Sequence, residues 1–229
     1  MTKTAILIPA RFNSSRFPGK PLTDLGGVPM IKRVYDRCKE TGYDTYVLTD
    51  SVEIEKVIGK DTILDRLHHC NNGTERCAVA VKRSILLDEY TSFINVQGDM
   101  PDVTFDMIDK CIKGLQHYNI STVFTDMPSY LQKDPNSVKM VRAGDSALWF
   151  GRGMVGYGYW HIGVYGYKRS ALEMYPSLPI ELEEQVEELE QLRWLVAGWS
   201  ISCLKTKFDG IEINTPEDAH KWNSKEKDT

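Results

Sequence analysis

The run Ala5-Ile6-Leu7-Ile8, closed by Pro9, limits the fold more than any other stretch of the chain. Four apolar residues without polar alternation, three of them large, fit a strand buried on both faces of a parallel sheet. A polar loop containing Gly and Pro follows to about Gly27, and then Ile31, Val34, Tyr35 and Cys38 recur at helical spacing. Strand, loop and helix in that order make half of a βαβ unit. The pattern returns along the first half. Thr45 to Leu48 reads as a second buried strand closed by Thr49-Asp50, and Thr74 is a candidate cap for a helix turning Ala78, Val81, Ile85 and Leu86 inward. Phe93-Ile94-Asn95-Val96 is a third strand, broken at Gln97-Gly98-Asp99. Phe105, Ile108, Ile112 and Leu115 resume the helical spacing, and Thr122 to Phe124 resumes a strand. This alternation predicts an α/β fold, a three-layer αβα sandwich on a mainly parallel sheet.

The second half has a different texture. Val138 to Val141, Ala147 to Phe150 and Ile162 to Tyr167 are strand-like pieces separated by Gly-rich stretches, which predicts a small antiparallel excursion around 138–168, suited to a dimerisation arm. A long acidic helix is expected from about Leu182 to Val196, then a strand from Ile201 to Leu204. Thr215-Pro216-Glu217-Asp218 has the hydroxyl cap, first-turn proline and early acids of a helix start. No repeat or linker interrupts the chain, so a single domain over 1–229 is expected.

Composition narrows the function. The 32 acidic and 28 basic residues are mixed along the chain, leaving a net charge of −4 and no basic tract for wrapping nucleic acid. The five cysteines are odd in number and lie far apart, which predicts neither a disulfide framework nor a zinc knuckle and suits a reducing, cytoplasmic compartment. No run approaches the roughly 18 apolar residues of a membrane span, so no membrane partner is expected.

Arg11, Arg16 and Lys20 stand in the loop after the first strand, with Ser14, Ser15 and Gly19 between them. Cations at the carboxyl end of a buried parallel strand sit where open α/β sheets bind ligands, and small residues let backbone N–H groups approach an anion such as a triphosphate. Charge spacing alone leaves a solvated basic loop as good a reading. The order of a Walker loop is absent. Asp99 after Gly98 reads by itself as a turn aspartate, and His68-His69-Cys70 as loop, since no distal ligand matches it. His161 and Tyr165, four apart, share one face if their strand is regular.

Taken together, Ile8-Pro9-Ala10-Arg11 and Ser15-Arg16-Phe17-Pro18-Gly19-Lys20-Pro21-Leu22 resemble the opening signature of the CMP-Kdo synthetases (3-deoxy-manno-octulosonate cytidylyltransferases). Further matches follow in the family's order: Asn72-Gly73-Thr74-Glu75-Arg76, Val96-Gln97-Gly98-Asp99, His161-Ile162-Gly163-Val164-Tyr165-Gly166-Tyr167, Leu189-Glu190-Gln191-Leu192-Arg193 and Thr215-Pro216-Glu217-Asp218. The resemblance spans nearly the whole chain. It implies a Rossmann-like nucleotidyltransferase sheet, a homodimer, CTP and an acidic Kdo-like sugar as substrates, and Mg2+ as cofactor.

By this resemblance Arg11, Arg16 and Lys20 hold the CTP phosphates, Ala10, Gly73, Thr74, Arg76 and Gln97 flank the nucleoside, and Asp99 is a metal ligand. His161, Tyr165, Glu190 and Gln191, with Arg193, contact the sugar. The implied reaction is in-line attack of the anomeric hydroxyl on the α-phosphorus, with metal and basic loop stabilising the charge. Three departures stand out. Met100-Pro101 follows the Gln-Gly-Asp turn where the family has glutamate and proline. The segment between Arg152 and His161 is short. Asn214 replaces an aspartate that ligates metal, and Glu212, on the same face if that stretch is extended, is the candidate substitute. An amino-substituted Kdo or sialic-acid-like substrate, or a noncatalytic nucleotide-binding relative, is the alternative reading.

Overall fold

The computed structural model describes residues 3–12, 17–65 and 69–227. Arg16, Ser14, Ser15 and His68 lie outside the described residues. In chain order the elements are β1 (Thr4–Ala10), β2 (Asp24–Leu25), β3 (Val28–Pro29), α1 (Met30–Lys39), β4 (Asp44–Thr49), α2 (Val52–Ile58), β5 (Thr62–Leu64), α3 (Gly73–Arg83) and β6 (Ser92–Val96). They continue as α4 (Phe105–Gly114), β7 (Ile120–Thr125), β8 (Lys139–Ala143), β9 (Ser146–Gly151), β10 (Tyr159–Lys168), α5 (Arg169–Met174), α6 (Leu182–Glu187), α7 (Leu192–Val196), β11 (Ile201–Lys205) and α8 (Pro216–Lys227). Two compact units form, one from residues 1–105 with 209–229 and one from residues 106–208.

In the first unit the strands lie in the order β5-β4-β1-β6 and pair in parallel. Ala5, Ile6, Leu7 and Ile8 are fully buried, as an uninterrupted apolar run requires. The strand runs through Pro9 to Ala10 rather than ending at the proline. Its pairing with β6 stops at Leu7, so Pro9 lies beyond the part bonded on both sides.

The cap of α3 is Asn72 and not Thr74. Asn72 accepts a hydrogen bond from the Glu75 N–H at 2.8 Å, and the Glu75 carboxylate accepts from the Asn71 N–H at 2.7 Å. Thr74 is fully buried inside the helix. The helix ends at Arg83, and the following turn sends Ile85 and Leu86 outward, at 83% and 52% exposure, instead of inward. The pair α2 and β5 was not legible because α2 buries only Ile54 and β5 is half-buried throughout.

Residues 209–214 are irregular in backbone, and Ile213 drops into a cluster with Leu25, Met30, Ala219 and Trp222. Thr215 caps α8 as expected. Its hydroxyl accepts from the Asp218 N–H at 3.3 Å, while the Asp218 carboxylate accepts from the Thr215 N–H at 2.9 Å.

In the second unit β10 pairs antiparallel with β7, β7 pairs parallel with β11, and β8 and β9 form the expected antiparallel excursion. The long acidic helix is broken. Glu188 adopts a left-handed conformation (φ 52°) between α6 and α7, the one positive-φ residue other than glycine among the described residues. The break folds α7 back so that the Arg193 guanidinium meets the Glu184 carboxylate in two bonds of 2.7 and 2.6 Å.

Candidate active site

A polar cavity of about 460 Å3 opens at the carboxyl ends of β1 and β6. Its lining brings together Pro9, Ala10, Arg11, Lys20, Gly73, Arg76, Gln97, Asp99 and Asn214, residues drawn from separate stretches of sequence. Thr74 is fully buried, and neither it nor Glu212 is among the lining residues.

Local chemistry explains each position. Gly19 has φ 71°, a left-handed turn that starts the short helix Lys20–Leu22 and carries Lys20 into the cavity. The Lys20 ammonium then donates to the Asp99 carboxylate at 2.6 Å. Gly73 opens α3 directly against the strand end. A Cβ there would lie 3.1 Å from the Gln97 amide and from the Pro9 ring, so glycine lets the helix N-terminus come this close without pushing either aside. The first-turn N–H groups of α3 and its positive dipole end face the same cavity region as Asn72 and Gly73. Arg76, 5% exposed, is held by the Asp50 carboxylate at 3.0 Å. Arg11 is exposed and, among the described residues, makes a single long side-chain bond, 3.4 Å, to the Cys70 carbonyl, which leaves its guanidinium able to follow a ligand.

In the second unit His161, Tyr165 and Gln191 form one cluster. The β10 strand is not regular here, since its pairing with β7 shifts between Ile162 and Tyr165. The bulge nevertheless brings the His161 and Tyr165 rings within 5.3 Å, and the Tyr165 hydroxyl donates to the Gln191 side-chain carbonyl at 3.2 Å. The Gln191 Nε2 is buried with no hydrogen-bond partner among the described residues. An unpaired buried amide is costly, and Nε2 is a donor that no group among the described residues satisfies.

His161 is 3% exposed, and its pKa is lowered to about 3 by burial first and by the nearby Arg152 charge second. The imidazole is therefore neutral. The Thr122 hydroxyl donates its single proton to the Val164 carbonyl at 2.9 Å, so its oxygen accepts from His161 Nε2 at 2.9 Å. That assigns the proton to Nε2 and leaves Nδ1 as the acceptor.

Arg193, expected at the sugar, is instead committed to Glu184 and to the face of Tyr175, whose ring centre lies 4.1 Å away. Glu190 contributes its carbonyl to the Tyr175 hydroxyl.

Arg152 is the residue that sequence reasoning passed over. Its N–H donates to the Glu187 carboxylate at 2.7 Å and its side chain to the carbonyls of Glu187 and Asn136, which fixes a cation near His161. Its only signal was an arginine between two glycines, Gly151 and Gly153. Asn72 had a clearer one, standing three residues before Glu75 in capping-box spacing.

Comparison with known proteins identifies the family. The Cytidylyltransferase family model matches residues 5–206. An 8-amino-3,8-dideoxy-manno-octulosonate cytidylyltransferase from Shewanella pealeana is 36% identical over 93% of this chain and 94% of its own length. A 3-deoxy-manno-octulosonate cytidylyltransferase from Porphyromonas gingivalis is 35% identical over 96% and 95%. Among solved structures, a CMP:2-keto-3-deoxy-manno-octonic acid synthetase complexed with CTP superposes with a TM-score of 0.89 at 31% identity, covering 99% of each chain. The α/β nucleotidyltransferase fold, the ordered motifs and the polar cavity at the strand ends therefore have one explanation: the chain belongs to the cytidylyltransferase family and is a nucleotidyltransferase.

Proposed function

We propose that the protein transfers CMP from CTP to the anomeric hydroxyl of a Kdo-like acidic sugar, releasing pyrophosphate. The observation that carries this reading is the convergence of Arg11, Lys20, Gln97, Asp99 and Asn214 on one polar cavity beside the N-terminus of α3. Arg11, with Arg16, and Lys20 match a triphosphate, arginine by bidentate contact and lysine as a point charge. As pyrophosphate leaves, these cations stabilise the charge that develops on it. Gly73, Arg76 and Gln97 line the nucleoside side of the cavity.

A divalent cation fits the donor set. Among the described residues no group of three or more His, Cys, Asp or Glu side chains surrounds a metal position. Mg2+ does not need one, because it takes one or two carboxylates together with phosphate oxygens and water. Asp99 would hold it, with the Asn214 amide oxygen beside it. Mg2+ there would neutralise charge on the phosphates and lower the pKa of the attacking hydroxyl. No side-chain base is then required.

For the sugar, the second unit offers His161 Nδ1 as an acceptor, the Gln191 amide and Tyr165 hydroxyl as polar partners, Glu190 next to them, and Arg152 as the cation for a carboxylate. An amino-substituted Kdo is the second reading, favoured by the similarity to the Shewanella protein. Leu148, Val155, Tyr157, Leu182 and Val186 are exposed apolar side chains of this unit, which supports a homodimer. All five cysteines are free thiols, which suits the reducing cytoplasmic compartment proposed for the enzyme, and no helix among the described residues is long and apolar enough to cross a membrane.

Incubation with CTP, Mg2+ and either Kdo or its 8-amino analogue, followed by pyrophosphate assay and product mass, tests the proposal. Release with one sugar assigns the substrate. No release with either at high Mg2+ makes the chain a noncatalytic nucleotide-binding relative.

A further inference from the structure

The turn that carries Asp99 is followed at once by a second turn, closed by Met100 N–H to the Gln97 carbonyl at 3.2 Å and Val103 N–H to the Met100 carbonyl at 3.2 Å. The second turn presents Asp102, whose carboxylate is fully used. One oxygen accepts from the Ile211 N–H at 2.9 Å, and the other from the Trp222 indole at 2.8 Å. A neighbouring bond runs from the Ile213 N–H to the Asp99 carbonyl at 3.0 Å. Residues 209–214 form no helix or strand, so no ladder fixes them. Their place beside the Asp99 turn is set by these bonds, by burial of Ile213, and by α8, where the Lys225 ammonium donates to the Asp209 carbonyl at 2.8 Å and the Asp218 carboxylate accepts from the Asn214 N–H at 3.0 Å. Asn214, the next residue, lines the cavity with Asp99.

We propose that Asp102 is a positioning residue for the nucleotide cavity: by binding the Ile211 N–H it holds the irregular segment in register, so that Asn214 stands beside Asp99. The inference rests on the reading of that cavity as the CTP and metal site. Trp222 stacks on the Arg33 guanidinium, 4.7 Å from its ring centre, and ties Asp102 to α8. The indole bond orients the carboxylate, and the Ile211 bond does the positioning. Partners that support a ligand from outside typically change metal affinity by about 10–100-fold when removed.

The two bonds are separable by mutation. Asp102→Ala removes both. Trp222→Phe removes the indole donor while keeping an aromatic ring in the cluster that buries Ile213, and serves as the control. Asp102→Asn in the Trp222→Phe background keeps an amide oxygen for Ile211 and turns its NH2 toward a ring that no longer donates. The readout is binding of Mn2+ in the presence of CTP without sugar, by electron paramagnetic resonance, with hydrogen exchange of the Ile211 and Ile213 amides measured in parallel. Asp102→Ala is expected to weaken Mn2+ binding about tenfold and to speed exchange at both amides. Trp222→Phe should leave Mn2+ binding within about twofold, and the double variant should match it. If Asp102→Ala and Trp222→Phe weaken Mn2+ binding equally, or neither does, Asp102 is merely structural and the proposal is overturned. Calorimetric titration of the unmodified protein with CTP separates the two failures: without CTP binding the reading of the cavity itself falls, whereas intact CTP binding confines the failure to Asp102.

Discussion

The Lys20 ammonium lies 2.6 Å from the Asp99 carboxylate, with the two side chains 17% and 27% exposed. A cation of the protein thus sits on the carboxylate that a divalent ion would use. Under the proposed function Lys20 and the metal would compete for Asp99, and a triphosphate would resolve the competition by giving the ammonium another anion. Lys20→Met should therefore strengthen binding of Mn2+ alone, read by electron paramagnetic resonance. The same variant should lower turnover with CTP by about 10²–10³-fold, the usual cost of removing one transition-state contact. Unchanged Mn2+ binding would show that the ion pair does not guard the carboxylate, and unchanged turnover would remove Lys20 from the phosphate site.

His161 links stability to pH. Its folded pKa of about 3 lies below the ordinary value of 6.5, so the unfolded chain takes up a proton that the folded chain refuses. Stability attributable to His161 is complete above pH 6.5 and falls as pH drops toward 3, by up to about 1.4 kcal/mol per pH unit within that window. Around the ring stand Thr122, Phe150, Tyr165 and the Arg152 charge, and no carboxylate pairs with it among the described residues. Urea unfolding at pH 7 and pH 5 should show the loss in the unmodified protein and a shallower slope in His161→Gln. Equal slopes would mean that the imidazole is protonated in the fold.

These two sites show what was legible in the sequence. Strands β1 and β6 announce themselves because a strand buried on both faces must be apolar throughout, and the residues just beyond them line the polar cavity. The basic loop, Gln97, Asp99 and Asn214 were found by their matched order, and the cavity gathers those that are described. Pairings between distant residues left no such trace. Nothing local marks Arg193 as the partner of Glu184, because helical periodicity ran on through Glu188 and hid the break that joins them. Arg152 acquires its role only when Glu187 fixes its backbone.

The break itself is testable. A non-glycine residue in the left-handed region costs about 1–2 kcal/mol, part of which glycine returns through its freer unfolded chain. Glu188 is exposed, and the break does not depend on its side chain for packing. Glu188→Gly should raise stability by up to about 1 kcal/mol, and Glu188→Val should lower it by more, because a β-branched side chain fits this region worse. Thermal unfolding of the three proteins decides the matter. A lower melting temperature in Glu188→Gly would mean that the carboxylate itself stabilises the bend.

Gly73 tests whether the approach of α3 to Gln97 is functional. A methyl group at this position would meet the Gln97 amide nitrogen and oxygen and the Pro9 ring, each at 3.1 Å, closer than carbon contacts normally come. Pro9 belongs to a strand buried in the sheet and cannot yield, whereas the Gln97 side chain can rotate. Gly73→Ala should therefore preserve the fold, with a stability loss of about 1 kcal/mol typical of mild overpacking, and displace Gln97 from the nucleoside side of the cavity. Affinity for CTP should fall about tenfold by calorimetry, the equivalent of one lost contact of about 1.4 kcal/mol. Gln97→Ala supplies the comparison. If Gly73→Ala weakens CTP binding in the Gln97→Ala background as much as it does alone, its effect runs through the helix N-terminus rather than through Gln97. If the two changes together cost no more than either one, the close packing of Gly73 exists to place that amide.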